Sequence, residues 1–124
     1  MPTGNGKIDY RPILFFLIDK NIIRKIIKSA LIPERASIIE IGPGKGALSA
    51  ELAELNCKRL TLIEIDEALI KEHLTELAEH HEQIQIVNAN VLHLDLAEFI
   101  EKPTIIIGNL PYSVASQVIL KTVE

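Results

Sequence analysis

Short apolar runs rich in β-branched residues alternate with segments whose apolar residues recur at helical spacing, and this alternation restricts the folds open to the chain. Ser37–Ile41, 60–65, 84–87 and 104–107 read as strands. Between them lie helical patterns. Asp19 is placed to cap a helix over 19–31, with Ile22, Ile23, Ile26, Ile27, Ala30 and Leu31 on one face and Lys20, Arg24, Lys25 and Lys28 on the other; Pro33 stops it. Residues 47–56 turn Leu48, Leu52 and Leu55 inward. Asp66 caps a helix to about His80, with Leu69, Ile70, Leu74 and Leu77 on one stripe. Residues 96–100 form a helical turn, and a last helix begins near Val114. Strands that are apolar throughout, each followed by a helix, predict an α/β fold with a parallel sheet covered by helices on both faces. The last helix follows the fourth predicted strand, whereas doubly wound sheets usually have two halves. The expectation is an N-terminal portion, truncated after that strand, with residues 1–12 a flexible lead-in and 13–124 one domain.

Composition excludes several classes. At 124 residues, 48% hydrophobic and 24% charged, the chain suits one globular domain and not a disordered segment. The lone Cys57 excludes a disulfide framework and a cysteine zinc cage. Apolar runs such as 13–18 are too short to span a bilayer, and the basic-then-apolar order of a signal peptide is missing. A cytoplasmic protein is expected. Net charge is −4, but residues 1–35 carry seven basic against three acidic side chains, so contact with a polyanion should involve this first third. His73, His80, His81 and His93 have no cysteine or carboxylate cage beside them; they read as solvated surface, and no metal is expected.

Glu40-Ile41-Gly42-Pro43-Gly44-Lys45-Gly46 follows a predicted strand and opens a predicted helix. Glycine permits a tight turn and close approach of a ligand to the backbone. The spacing is G-x-G-x-G, not the G-x-G-x-x-G of dinucleotide folds, and no P-loop Lys-Ser/Thr follows. A pyrophosphate cradle is therefore disfavoured. Glu64 ends the next strand, where a carboxylate can accept hydrogen bonds from both hydroxyls of a ribose. Strand, glycine turn, helix, strand and acid, in that order, point to a nucleoside.

Asn109-Leu110-Pro111-Tyr112 follows the fourth predicted strand at its carboxyl end, where α/β sheets carry their active sites. The Asn109 amide oxygen and the Leu110 carbonyl can each accept one N–H of a planar amine. Pro111 stiffens the turn, and the Tyr112 ring offers a stacking surface for a base. The amine lone pair is left free to attack.

These residues, together with Phe16-Leu17-Ile18-Asp19 and Glu64-Ile65-Asp66, resemble the ribosomal RNA small-subunit adenine N6-dimethyltransferases of the KsgA type. The resemblance runs from about Ile13 to Glu124, less than half of a typical member. It implies a Rossmann-like methyltransferase that uses S-adenosyl-L-methionine. Leu17, Gly42, Gly44, Glu64, Asn90 and Asn109 would border the cofactor, and Asn109, Leu110, Pro111 and Tyr112 would hold the target adenine. The substrate implied is small-subunit rRNA or a pre-ribosomal subunit, dimethylated at adjacent adenines during ribosome biogenesis by a monomer. Two positions depart from the family: Leu14 and Phe15 stand where Gln-Asn is usual, and Asn90 where Asp is usual. Two alternatives stand beside this reading. One is a truncated or degenerate fragment that at most binds the cofactor. The other is a related 23S-type adenine N6-methyltransferase. In either main reading the glycine turn and the Asn109 corner must lie at the same end of the molecule.

Overall fold

The computed structural model describes residues 13–16, 20–29, 32–101, 103–108, 113–114 and 116–118. Its centre is a parallel sheet of β1 (Ile13–Phe16), β2 (Ser37–Ile41), β3 (Arg59–Glu64), β4 (Ile84–Asn88) and β5 (Thr104–Gly108), in the order β1-β5-β2-β3-β4. The chain moves outward from β2 to β3 and β4, then crosses back to place β5 on the other side of β2. Strand order therefore reverses between β2 and β5, and ligands of open α/β sheets bind outside the carboxyl ends at such a point.

Four strands match the sequence reading to within a residue at each end. The fifth, β1, was not expected: the 13–18 run reads only as apolar. Among the described residues it is an edge strand and pairs with β5, Ile13 with Ile105 through Phe16 with Gly108. In the sequence, Leu17 and Ile18 continue the apolar run without a turn-forming residue, so the strand leaves no separate signal. It makes Thr104–Gly108 the fifth strand in the chain rather than the fourth.

Alternate residues of the central strands face two cores, as the two-residue period of a strand requires. Ile38, Leu60, Leu62, Ile105 and Ile107 meet Leu48 and Leu52 of α2 (Ala47–Ala53) and Leu74 on one face. Ile39, Ile41, Ile63 and Ile106 meet Val91, Leu96 and Val118 on the other. Each of these large apolar side chains taken out of water contributes about 1.5–3 kcal/mol, and together they fix the strand ends that build the site. Both faces are covered, as expected.

The helices differ from expectation in detail. α1 spans Lys20–Lys28. Its presumed cap Asp19 and its presumed last residue Leu31 lie outside the described residues. Ile22, expected on the inward face, is 44% exposed, whereas Ile27 packs on the core. Arg24, on the polar face, reaches Glu51 of α2 at 2.8 Å. α2 ends at Ala53, three residues early, because Glu54 and Leu55 turn back on Glu51 and Leu52. Asp66 does cap the next helix, accepting from Ala68 N–H at 2.9 Å. That helix is α3 (Glu67–Leu69) and α4 (Thr75–Glu79), joined by a wider π-helical stretch, Ile70–Leu74. Residues 96–100 form a tight 3₁₀ turn, Leu96–Phe99, capped by Asp95. Beyond β5, Ser113, Val114 and 116–118 are helical, as the sequence predicts.

Candidate functional site

The carboxyl ends of the strands are in register. Ile41, which precedes Gly42, pairs with Ile63 on one side and with Gly108 on the other; Glu64 pairs with Asn88. The glycine turn, the acid after it and the strand end that leads to Asn109 therefore leave the sheet along one edge. Paired strands lie about 4.8 Å apart, so these exits are neighbours.

Gly42, Gly44 and Gly46 all have positive φ, at 71°, 61° and 83°. At Gly44 this backbone strains any L side chain, and a Cβ would meet nothing within 4 Å. The space over Gly44 is open, as close approach of a ligand requires. At Gly46 a Cβ would stand 3.1 Å from Leu74 Cδ2, so this glycine serves packing under the turn. The G-x-G-x-G spacing is thus three left-handed residues that fold the chain from β2 into α2.

Glu64 is 5% exposed as a residue, and its carboxylate faces this turn. Its Oε1 accepts from Gly44 N–H at 2.9 Å and its Oε2 from Asp66 N–H at 3.0 Å. An ionised carboxylate has about four acceptor directions, so one remains on each oxygen. That is the number two ribose hydroxyls need.

Two cavities flank Gly42. One, about 150 Å³, runs from Glu64 past Ile65 to Asn90, Val91 and Val114. Among the described residues of its wall, Glu64 and Asn90 are the polar side chains. The other, about 260 Å³, is walled by Glu40, Gly44, Leu48 and Gly108. A larger groove of about 520 Å³ lies between α2 and α4, lined by Lys45, His73, Glu76 and His80. Among the described residues its wall comes from the glycine turn, from α2, from the helix after β3 and from His80 and His81 just beyond that helix, and no strand end reaches it. Of the four histidines expected at the surface, His73, His80 and His81 line this groove and His93 does not; His80 and His93 are exposed, whereas His73 and His81 are half-buried.

Of the expected site residues, Gly42, Gly44, Glu64 and Asn90 gather at this edge. Leu17 and Asn109, Leu110, Pro111 and Tyr112 lie outside the described residues. Asn90 Oδ1 accepts from Leu92 N–H at 3.0 Å, capping the short turn Val91–His93. Two residues were missed. Glu40 is 4% exposed among the isoleucines of β2 and accepts from Ser49 Oγ at 2.5 Å, beside the larger of the two cavities. Its signal was present: a carboxylate inside a buried strand is costly and calls for a reason. Ile65 was read as the end of a buried strand, yet it is 64% exposed on the wall of the smaller cavity. No residue pattern distinguishes it from its buried neighbours.

A parallel sheet reversing at β2, with a glycine turn tied to an acid on the next strand, defines a Rossmann-like methyltransferase domain. Comparison with known proteins makes this specific. The family model described as ribosomal RNA adenine dimethylase matches residues 13–124, and the chain belongs to that family. It is 39% identical over 109 residues to ribosomal RNA small subunit methyltransferase A of Wolbachia pipientis wMel, covering 88% of this chain and 38% of that one. It is 36% identical over 115 residues to the protein of the same name from Bacillus pumilus, covering 88% and 39%. The chain thus spans about two-fifths of the length of these relatives. Among solved structures, it superposes on a dimethyladenosine transferase from Plasmodium falciparum with a TM-score of 0.66 and 28% identity, covering 86% of this chain and 37% of that one. The 23S rRNA methyltransferase ErmE gives 0.67 and 32%, covering 88% and 43%.

Proposed function

We propose that this chain carries the donor site, and the start of the acceptor site, of an S-adenosyl-L-methionine-dependent rRNA adenine N6-dimethyltransferase acting on small-subunit rRNA in the cytoplasm. The observation that carries the reading is the register of Ile41 with Gly108, beside a Glu64 already tied to Gly44. One edge thus presents a nucleoside-binding carboxylate and the strand that runs into Asn109. The residues fit the donor. Glu64 retains one acceptor per oxygen for the ribose hydroxyls, and the apolar wall at Ile65, Val91 and Val114 suits a planar base. Glu40 places a carboxyl group in the wall of the cavity that would take the cationic end.

When bound, the donor supplies an activated methyl group on a sulfonium, so neither metal nor strong base is required. The work of the chain is positioning, which can supply about 7–11 kcal/mol. The target adenine leaves its stack and lies on Tyr112. Asn109 Oδ1 and the Leu110 carbonyl would accept from the two N6 hydrogens, Pro111 would stiffen that turn, and Leu17 would border the donor. The nitrogen lone pair would then be free to take the methyl group as its bond to the sulfonium breaks and leaves a neutral thioether, and the amine proton would pass to water.

The test is a chimera in which residues 13–124 replace the matching segment of the Bacillus pumilus relative. It should transfer labelled methyl groups to adenine N6 of small-subunit rRNA, and Asn109→Ala in it should cut the rate at least about a hundredfold. A folded, donor-binding chimera that methylates 23S rRNA instead, or that tolerates Asn109→Ala, contradicts the proposal.

A further inference from the structure

Glu64 joins three loops of the carboxyl edge. Its two oxygens take the N–H of Gly44 after β2 and of Asp66 after β3. Its backbone carbonyl accepts from Ala89 N–H at 3.1 Å and from Asn88 Nδ2 at 3.0 Å, both beyond or at the end of β4. Asn88 Nδ2 also reaches the Ile65 carbonyl at 3.2 Å, so the base of the acid is clamped as well as its tip. The carboxylate is buried, and hydrogen bonds to a charge in such surroundings are strong and costly to lose. Gly44, in turn, has open space where a side chain would be. Among the described residues none stands within 4 Å of that position, and the Glu64 carboxylate is what the Gly44 N–H meets.

We infer that Glu64 is a positioning residue for the glycine turn as well as a ribose ligand. It sets where Gly44 stands over the cavity shared with Glu40 and Gly108, and so governs the grip on the part of the ligand beyond the ribose. This rests on the nucleoside reading above, but it makes a claim that reading does not: Glu64 matters to a ligand that has no ribose hydroxyls.

The test pairs Glu64→Gln with two ligands, S-adenosylhomocysteine and its 2′,3′-dideoxy analogue. Glutamine has one acceptor oxygen and a donor NH₂, so it satisfies only one of the two N–H groups. The dideoxy analogue should bind the variant at least about fivefold more weakly than the parent chain. In hydrogen exchange without ligand, the Gly44 or Asp66 amide should exchange about tenfold faster, while the Ile39 and Ile106 amides keep their rates. A general loosening would speed all four. Equal affinity of the dideoxy analogue for parent and variant overturns the inference. If the parent binds neither compound, the nucleoside reading fails instead, and the exchange rates alone decide the positioning role. Glu64→Asp, shorter by one methylene, serves the same comparison if the glutamine variant does not fold.

Discussion

Replacing Gly44 and Gly46 by alanine separates ligand approach from packing, because the two glycines share a backbone conformation but not a neighbourhood. Both have φ in the left-handed region, which costs an alanine about 1–2 kcal/mol. At Gly44 the new methyl meets nothing within 4 Å, so strain is the whole cost. At Gly46 it meets Leu74 Cδ2 at 3.1 Å, on a leucine with no exposed surface. Overpacking there adds about 1–3 kcal/mol. Gly44→Ala should therefore lower the thermal midpoint by about 4–8 °C, and Gly46→Ala by about twice that. Ligand binding should rank them the other way. The Gly44 methyl enters the space over the turn and should weaken S-adenosylhomocysteine at least about tenfold, as one misplaced contact at a close approach does. Gly46→Ala, once folded, should lose less. Differential scanning calorimetry and isothermal titration on the same preparations give both numbers. Equal destabilisation by the two variants, or unimpaired ligand binding by Gly44→Ala, would refute this division of labour.

Three further outcomes follow from the same geometry. Ile65→Ser removes an already exposed side chain, so stability should change by no more than about 0.5 kcal/mol while nucleoside affinity falls about tenfold; a variant that binds as well as the parent removes Ile65 from the site. Asn90→Asp keeps a cap for Leu92 N–H and adds a charged acceptor to the cavity, so adenosine-type ligands should bind about five- to tenfold tighter; unchanged or weaker binding by calorimetry contradicts that. Burial pushes the Cys57 thiol above its ordinary pKa. Its contribution is then whole below the unfolded thiol's pKa of about 8.5 and is lost as pH rises beyond it. The urea midpoint should fall above about pH 8.5 more steeply in the parent than in Cys57→Ala; parallel curves contradict this.

Much of the arrangement could be read from residue order, for identifiable reasons. The central strands are apolar on both faces because both faces are covered, so their runs stand out. Gly42, Gly44 and Glu64 were legible because left-handed turns and buried acids admit few residue types. β1 was not legible: an edge strand of four residues merges with the apolar residues after it. The π-helical stretch Ile70–Leu74 was hidden because a 3.6-residue stripe absorbs one extra residue per turn without losing its face. Ile22 and Ile65 misled in the same way, since an apolar residue beside a buried stripe carries no mark of which side it takes. Glu40 could have been found from its charge alone.

Backbone amide chemical shifts during a titration of this chain with S-adenosylhomocysteine give the most direct measurement. A nucleoside seated at the carboxyl edge should move the resonances of Gly42, Gly44, Asp66, Asn90 and Gly108 together, on one saturation curve. Shifts confined to His73, Glu76 and His80, in the groove between α2 and α4, or no saturable change at all, would place the donor elsewhere and remove the site.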